Sequence, residues 1–210
     1  MITRQAENRV LLSNVAWSTF ESLLAENESR GTRFTYDRGY LEIMSPSREH
    51  ELVKTLLGRM VELMAVELNI PISSGGSTTL KEEFKQRGLE PDECYYVANE
   101  PAMRGRDEYD AAVDPPPDLV IEVDISRGSL DKLPIYADFG VPEVWLFEDT
   151  TLRILTLAAD GAYHPQEQSL SLPLLRRADI QRFLDQRSAM NETAWSRAFR
   201  DWVRGLAGGQ

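Results

Sequence analysis

Cysteine and histidine are almost missing from this chain: Cys94 is the one cysteine, and His50 and His164 are the only histidines. A single thiol excludes an internal disulfide, and two imidazoles far apart in sequence offer no zinc site built from His and Cys. No run of about 18 apolar residues occurs, so no membrane span is predicted. The opening residues, Met1 to Asn8, lack the charged-then-apolar order of a signal peptide. Together these absences predict a cytoplasmic protein. Positive charge is also short, with 23 Lys and Arg against 34 Asp and Glu and a net charge of −11. That balance argues against broad, non-specific nucleic-acid binding, which draws its affinity from neutralised phosphates. Two small clusters remain for a local basic groove, Arg104 with Arg106 and Lys81 with Lys85 and Arg87. Scattered basic residues of this kind more often just solvate a surface.

Apolar residues are plentiful, at 42% of 210. That is enough for a full core, and a single domain over residues 1–210 is predicted, with helical additions at the ends. The most informative stretch is Pro115 to Ser126. Its odd positions, Leu119, Ile121, Val123 and Ile125, are apolar. Its even positions include Asp118, Glu122 and Asp124. Side chains alternate between the faces of a strand, so this segment has one greasy and one acidic side. Two readings stay open: a half-exposed antiparallel strand, or a strand whose carboxylates face a cation or a metal-dependent site.

The remaining elements follow from local signals. Asn14 is a candidate cap for a helix carrying Trp17, Phe20, Leu23 and Leu24. Asp37-Arg38-Gly39 predicts a hairpin turn between two strands spanning Arg33 to Met44. Ser47 caps a long helix, Arg48 to Leu68, with Leu52, Val53, Leu56, Leu57, Met60, Leu63 and Met64 on one face. Glu51 lies in its first turn, where pairing with the helix dipole alone accounts for it. A bent strand over Pro71 to Leu80, a turn over Lys81 to Gly88 and a strand at Cys94 to Val97 are expected next. Asn99 to Asp114 reads as a loop. Ser126 to Ser129 is a candidate cap for a helix over Leu130 to Phe139, ended by Gly140. Strands at Val144 to Phe147 and Leu152 to Leu157 follow, so that 118–147 reads as a βαβ crossover. A strand near Ser169 to Leu175 and two helices, Ile180 to Gln186 and from Asn191, complete the prediction. The last helix carries Trp195, Phe199, Trp202, Val203 and Leu206 on one face, a docking stripe for its own body or a second subunit.

Several motifs occur in a recognisable order. They are Met44-Ser45-Pro46, His50-Glu51, Glu90-Pro91-Asp92, and Pro117-Asp118-Leu119-Val120-Ile121-Glu122-Val123. Lys132, Tyr136, Gly140-Val141-Pro142-Glu143 and Trp145 follow. The set, over roughly residues 14 to 180, resembles a widespread bacterial family of restriction-endonuclease-like proteins in the PD-(D/E)XK nuclease superfamily. The resemblance implies an α+β fold: an αβββαβ core with a mixed sheet over about 34–158, preceded by a helix and hairpin. A C-terminal helical extension follows over about 178–207.

The resemblance also implies a site. The acidic residue of the second core strand falls on Asp92, and the acidic-x-Lys tripeptide on Glu122-Val123-Asp124. Asp124 therefore stands where a lysine is expected, and the compensating lysine, moved onto the following helix, is Lys132. Glu51 is the carboxylate that some members contribute from the first helix. Asp92, Glu122 and Asp124 become metal ligands for Mg²⁺ or Mn²⁺, and Glu122, Lys132 and Glu51 catalytic residues. Strand geometry bears on the choice of ligands. Asp118 and Glu122 lie about 13 Å apart along one strand, too far to share an ion with oxygen ligands at about 2.1 Å. A neighbouring strand is only about 4.8 Å away, which makes Asp92 the better partner for Glu122. Asp118 then orients the start of the strand, or substitutes for Asp92 if the register differs. The implied activity is metal-dependent cleavage of DNA, with a homodimer as the analogous assembly. The alternative is a catalytically weak nuclease-fold protein acting as an interaction or regulatory module.

Overall fold

The protein is described here by a computed structural model, which covers residues 7–27, 31–125 and 130–207. The chain begins with strand β1 (Asn8–Leu12) and helix α1 (Trp17–Glu26), followed by the hairpin β2 (Arg33–Asp37) and β3 (Tyr40–Ser45). Arg38 and Gly39 both take positive φ, 48° and 92°, as a two-residue turn between twisted strands requires. Helix α2 (Arg48–Leu68) starts at Ser47, whose hydroxyl accepts from the His50 amide. Short strands β4 (Ser73–Ser74), β5 (Leu80–Glu82), β6 (Arg87–Leu89) and β7 (Glu93–Tyr96) follow. Next come the one-turn helix α3 (Glu100–Met103), strand β8 (Leu119–Asp124), helix α4 (Leu133–Phe139) and strands β9 (Glu143–Glu148), β10 (Thr151–Leu157) and β11 (Tyr163–Gln166). Helices α5 (Arg177–Asp185) and α6 (Glu192–Ala207) end the chain.

Two sheets result. One has the order β1-β3-β2-β6-β5, the other β11-β10-β9-β8-β7-β4. The second is mixed, because β8 runs antiparallel to β7 and parallel to β9. The succession α2, β4, β7, β8, α4, β9 is the expected αβββαβ core.

The position of β8 removes the half-exposed reading of its alternating pattern. It is a central strand covered on both faces. Leu119, Ile121 and Val123 pack against Val53, Leu57 and Met60 of α2. Val120, on the other face, joins Ile135, Tyr136 and Phe139 of α4. Glu122 lies on that second face and is only 4% exposed. Its carboxylate is therefore inside the fold.

Four local expectations are corrected. Asn14 does not cap α1: it takes φ 58°, and Ala16 stands at the cap in extended conformation. Lys81 to Gly88 is not a plain turn, because β5 and β6 form an edge hairpin whose short strands carry few apolar residues. Its partner strand β2 is fixed by pairs such as Thr35 with Leu89. Ser169 to Leu175 is not a strand. Pro173 cannot donate to a ladder, and the segment is instead tied by the Leu172 amide to the Ser169 hydroxyl and by one bridge between Gln168 and Arg176. Its Leu172 and Leu175 still enter the core. Helix α4 begins only at Leu133, with Lys132 at its cap and Pro134 in its first turn. The cap expected at 126–129 lies outside the described residues.

The aromatic stripe of α6 is covered by its own chain. Trp195 and Phe199 stack at 6.0 Å, both meet Phe183 of α5 edge-on, and Trp195 Nε1 donates to the Phe183 carbonyl at 2.7 Å. Truncating Phe199, which has no exposed surface, is expected to cost about 3–5 kcal/mol. Urea unfolding of Phe199→Ala checks this, and a loss under about 1 kcal/mol would mean α6 is not part of the core.

Candidate active site

The register of β7 and β8 dictates the centre of the site. Glu93 pairs with Ile121, so the next step of the antiparallel ladder sets Asp92 opposite Glu122. Directly opposed residues project to the same face. Asp92 is 1% exposed, and its Oδ2 accepts from the Val123 amide at 2.8 Å. Two carboxylates are thus buried side by side, which is unfavourable unless cations accompany them.

Three elements deliver those cations. From α4, Lys132 Nζ lies 2.6 Å from Glu122 Oε2. One helical turn on, the Tyr136 hydroxyl donates to Glu122 Oε1. The spacing of four puts both side chains on one helix face. From α2, His50 reaches Asp92 with Nε2 2.9 Å from Oδ1, and Glu7 Oε1 with Nδ1 at 2.5 Å. From β1, Arg9 reaches Glu42 Oε1 at 2.8 Å, Glu7 Oε2 at 2.7 Å and Asp124 Oδ1 at 3.1 Å. Arg9, Glu122, Asp124, Lys132 and Tyr136 line a cleft of about 580 Å³, with Leu146 and Arg153 on its walls.

Proton affinities follow from these contacts. Burial alone would lower the His50 value, but Asp92 and Glu7 outweigh it and raise it to about 9, so the ring is an imidazolium at neutral pH. Burial pushes Asp92 up, and His50, Lys132 and the Val123 amide more than reverse this, leaving it below the usual carboxylate range. Glu122 is raised by burial, with Lys132 opposing and Asp92 adding to the rise. Lys132 is raised despite its burial, because Glu122 and Asp92 face it. Burial takes Tyr136 well above the usual phenol value, so it donates and does not ionise. The Cys94 thiol, driven by burial to about 12, is inert.

The structure brings Asp92, Glu122 and Lys132 together. Asp124 is beside them but ion-paired with Arg9. Glu51 instead forms an ion pair with Lys54 at 2.9 Å, and its neighbour His50 is the α2 side chain that contacts Asp92. Asp118 accepts from the Val97 and Asn99 amides at 2.7 and 2.8 Å and from the Asn99 side chain. It shapes the loop before β8. The residues offered for a basic groove all have acidic partners: Lys81 with Glu21, Lys85 with Glu82, Arg87 with Asp37 and Asp138, Arg104 with Glu100, and Arg106 with Asp114.

A divalent cation suits this donor set in two respects. The close approach of His50 Nε2 to Asp92 Oδ1 lacks hydrogen-bond alignment, so a buried carboxylate oxygen has no directed donor. The donors are hard oxygens, as Mg²⁺ and Mn²⁺ prefer. Among the described residues no three His, Cys, Asp or Glu side chains form a ready metal cage. Magnesium is commonly held by one or two carboxylates, with water and phosphate completing the shell.

The residues of this cluster that sequence did not assign to the site are His50, Tyr136, Glu7, Arg9 and Glu42. Tyr136 had a signal in its spacing from Lys132, and His50 in its place next to Glu51. Nothing local marks Arg9, whose partner Asp124 is 115 residues away.

Residues 17–188 match the model of the Uma2 family, described as "Putative restriction endonuclease". No curated protein sequence matches the chain.

The His50 imidazolium makes stability pH-dependent. Its folded value of about 9 exceeds the ordinary 6.5, so its contribution is complete below about pH 6.5 and is lost as pH rises towards 9. Without divalent ions, the urea midpoint is expected to fall across that window, and His50→Gln to lower the midpoint and flatten the fall. A parent midpoint that stays level from pH 6.5 to 9 would remove the ion pair.

Proposed function

The chain belongs to the Uma2 family of restriction-endonuclease-like proteins, and from that membership we propose that it is a metal-dependent endonuclease acting on DNA. The observation that carries this reading is that Glu122 and Lys132, in contact with each other, line one cleft, with the buried Asp92 set opposite Glu122 on the neighbouring strand. No helix of the described residues is long and apolar enough to cross a membrane.

Asp92 and Glu122 are the residues that would hold Mg²⁺ or Mn²⁺. When bound there, the ion supplies polarisation of the scissile phosphate and a water of lowered pKa. The chain's own groups supply the rest. The Val123 amide fixes the Asp92 carboxylate, and the Tyr136 hydroxyl and Lys132 ammonium fix that of Glu122. Lys132 keeps its proton beside these carboxylates and places positive charge where the phosphate becomes more negative in the in-line transition state. The His50 imidazolium, pinned by Glu7, holds Asp92 ionised and ready to act as a ligand.

A second reading has one observation in its favour. The described cations of the cleft already have carboxylate partners, Arg153 with Glu148 included, and this suits a weak or inactive nuclease fold that serves as an interaction module.

The test is incubation of purified protein with plasmid, single-stranded and branched DNA in Mg²⁺ or Mn²⁺. Nicking or linearisation is expected with the parent, and Lys132→Ala and Glu122→Gln are each expected to slow it by about 10²-fold or more. Cleavage that survives both substitutions would assign the activity to a contaminant. No cleavage and no saturable Mn²⁺ binding by the folded parent would favour the interaction module.

A further inference from the structure

We propose that the cleft takes one unpaired nucleotide of the substrate strand, its base against a wall of leucines and its phosphate beside Lys132, so that single-stranded or locally unpaired DNA is cut in preference to duplex. This deepens the nuclease reading and rests on it.

The fold makes the cleft amphipathic. On β9, Leu146 is the register partner of Glu122, so the two side chains stand next to each other on one face of the sheet. At the start of α4, Leu133 follows directly on Lys132, and Leu130 lies two residues before it. All three leucines are half-buried and line the cleft. Leu133 and Leu146 rest on the core that holds Ile135, Tyr136 and Val144, and present their remaining surface to the cleft. Apolar surface thus adjoins the Glu122 carboxylate and the Lys132 ammonium. The whole cleft, at about 580 Å³, falls in the size range of sites that enclose one small ligand.

Duplex and single strand use such a lining differently. A duplex turns its phosphates and sugars outward and keeps the faces of its bases stacked inside. It therefore gains from basic residues and little from leucines. The cleft has little of that kind to offer: Arg9, Lys132 and Arg153 each face a carboxylate, and Asp131 and Glu148 add acid to the lining. An unpaired nucleotide exposes the apolar faces of its base as well as its phosphate. It matches both halves of the cleft at once. Contact between a base and apolar surface does not depend on net charge, so a chain of charge −11 can draw affinity from it. Leu133 and Leu146 are then specificity-determining residues that touch the base and take no part in bond cleavage.

The test compares initial cleavage rates in Mn²⁺ for one oligonucleotide in three forms: single-stranded, annealed to its complement, and as an abasic strand with the same backbone. The parent is expected to cut the single strand at least about tenfold faster than either of the others. Leu146→Ala is expected to slow cleavage of the single strand by about tenfold, through KM more than kcat. Its loss and the loss from base removal are expected not to add, because both delete one contact. Leu146→Met keeps an apolar chain of similar volume and is expected to restore the rate. Supercoiled plasmid, which opens transiently, is expected to be nicked faster than the same plasmid relaxed. Duplex cut as fast as the single strand would overturn the proposal, and so would an abasic strand cut at the full single-strand rate. Should Leu146→Ala fail to melt cooperatively, the abasic comparison, made on the parent alone, decides. A parent that cuts none of the three would bring down the nuclease reading and this proposal with it, an outcome distinct from equal rates on duplex and single strand.

Discussion

Two carboxylates set opposite each other on adjacent strands, inside the protein, are the constraint around which this molecule is arranged. At about 5 Å and an effective dielectric near 20, two unit charges repel by about 3 kcal/mol, before any desolvation is counted. The β7–β8 register leaves Asp92 and Glu122 no alternative placement. The fold answers with positive charge from three directions: His50 from the first turn of α2, Lys132 from the cap of α4 and Arg9 from β1. The helices that cover β8 thus do two things at once. Their apolar faces build the core, and their N-terminal ends bring the compensating groups to one face of the sheet.

This explains why the two sheets meet where they do. Sheet β1-β3-β2-β6-β5 has its own aromatic core of Trp17, Phe20 and Tyr36. Its link to the other sheet near the site is polar: Arg9 to Asp124, and Glu7 through His50 to Asp92. Such a junction gains little net stability from ion pairs, since desolvation offsets much of the attraction. It does fix the orientation of several groups at once, because moving one leaves another buried charge uncompensated.

Much of this was legible in the sequence, for identifiable reasons. The long helix α2 shows itself through seven apolar residues at helical spacing and a serine cap, signals that are local and strong. The Arg38-Gly39 turn is equally local. Ordered motifs single out Asp92, Glu122 and Lys132, which the fold sets side by side, and strand spacing prefers Asp92 over Asp118 as the partner of Glu122. What failed was what depends on partners distant in the chain. The alternation along β8 left its polar face ambiguous, and only its central place in the sheet decides that Glu122 is inside. The β5–β6 hairpin has three-residue strands too short and polar to carry a pattern. Nothing near Asp124 in sequence announces Arg9, its ion-pair partner in the fold. Glu51 read as the α2 contribution because it is a carboxylate, whereas the turn presents His50 to Asp92 and pairs Glu51 with Lys54.

The same pairing bears on how an acidic chain meets a polyanion. Non-specific affinity for DNA grows with the number of phosphates that lysine and arginine neutralise. Here the basic residues lining the cleft, Arg9, Lys132 and Arg153, each sit against a carboxylate. A phosphate entering the cleft therefore exchanges one ion pair for another and gains little. On the nuclease reading, the missing attraction comes with the divalent ion. Held by Asp92 and Glu122, it would offer the phosphate a positive centre not already shared with a protein carboxylate. Metal binding and substrate binding then become one linked equilibrium, and the tightness of the metal site limits the affinity for DNA.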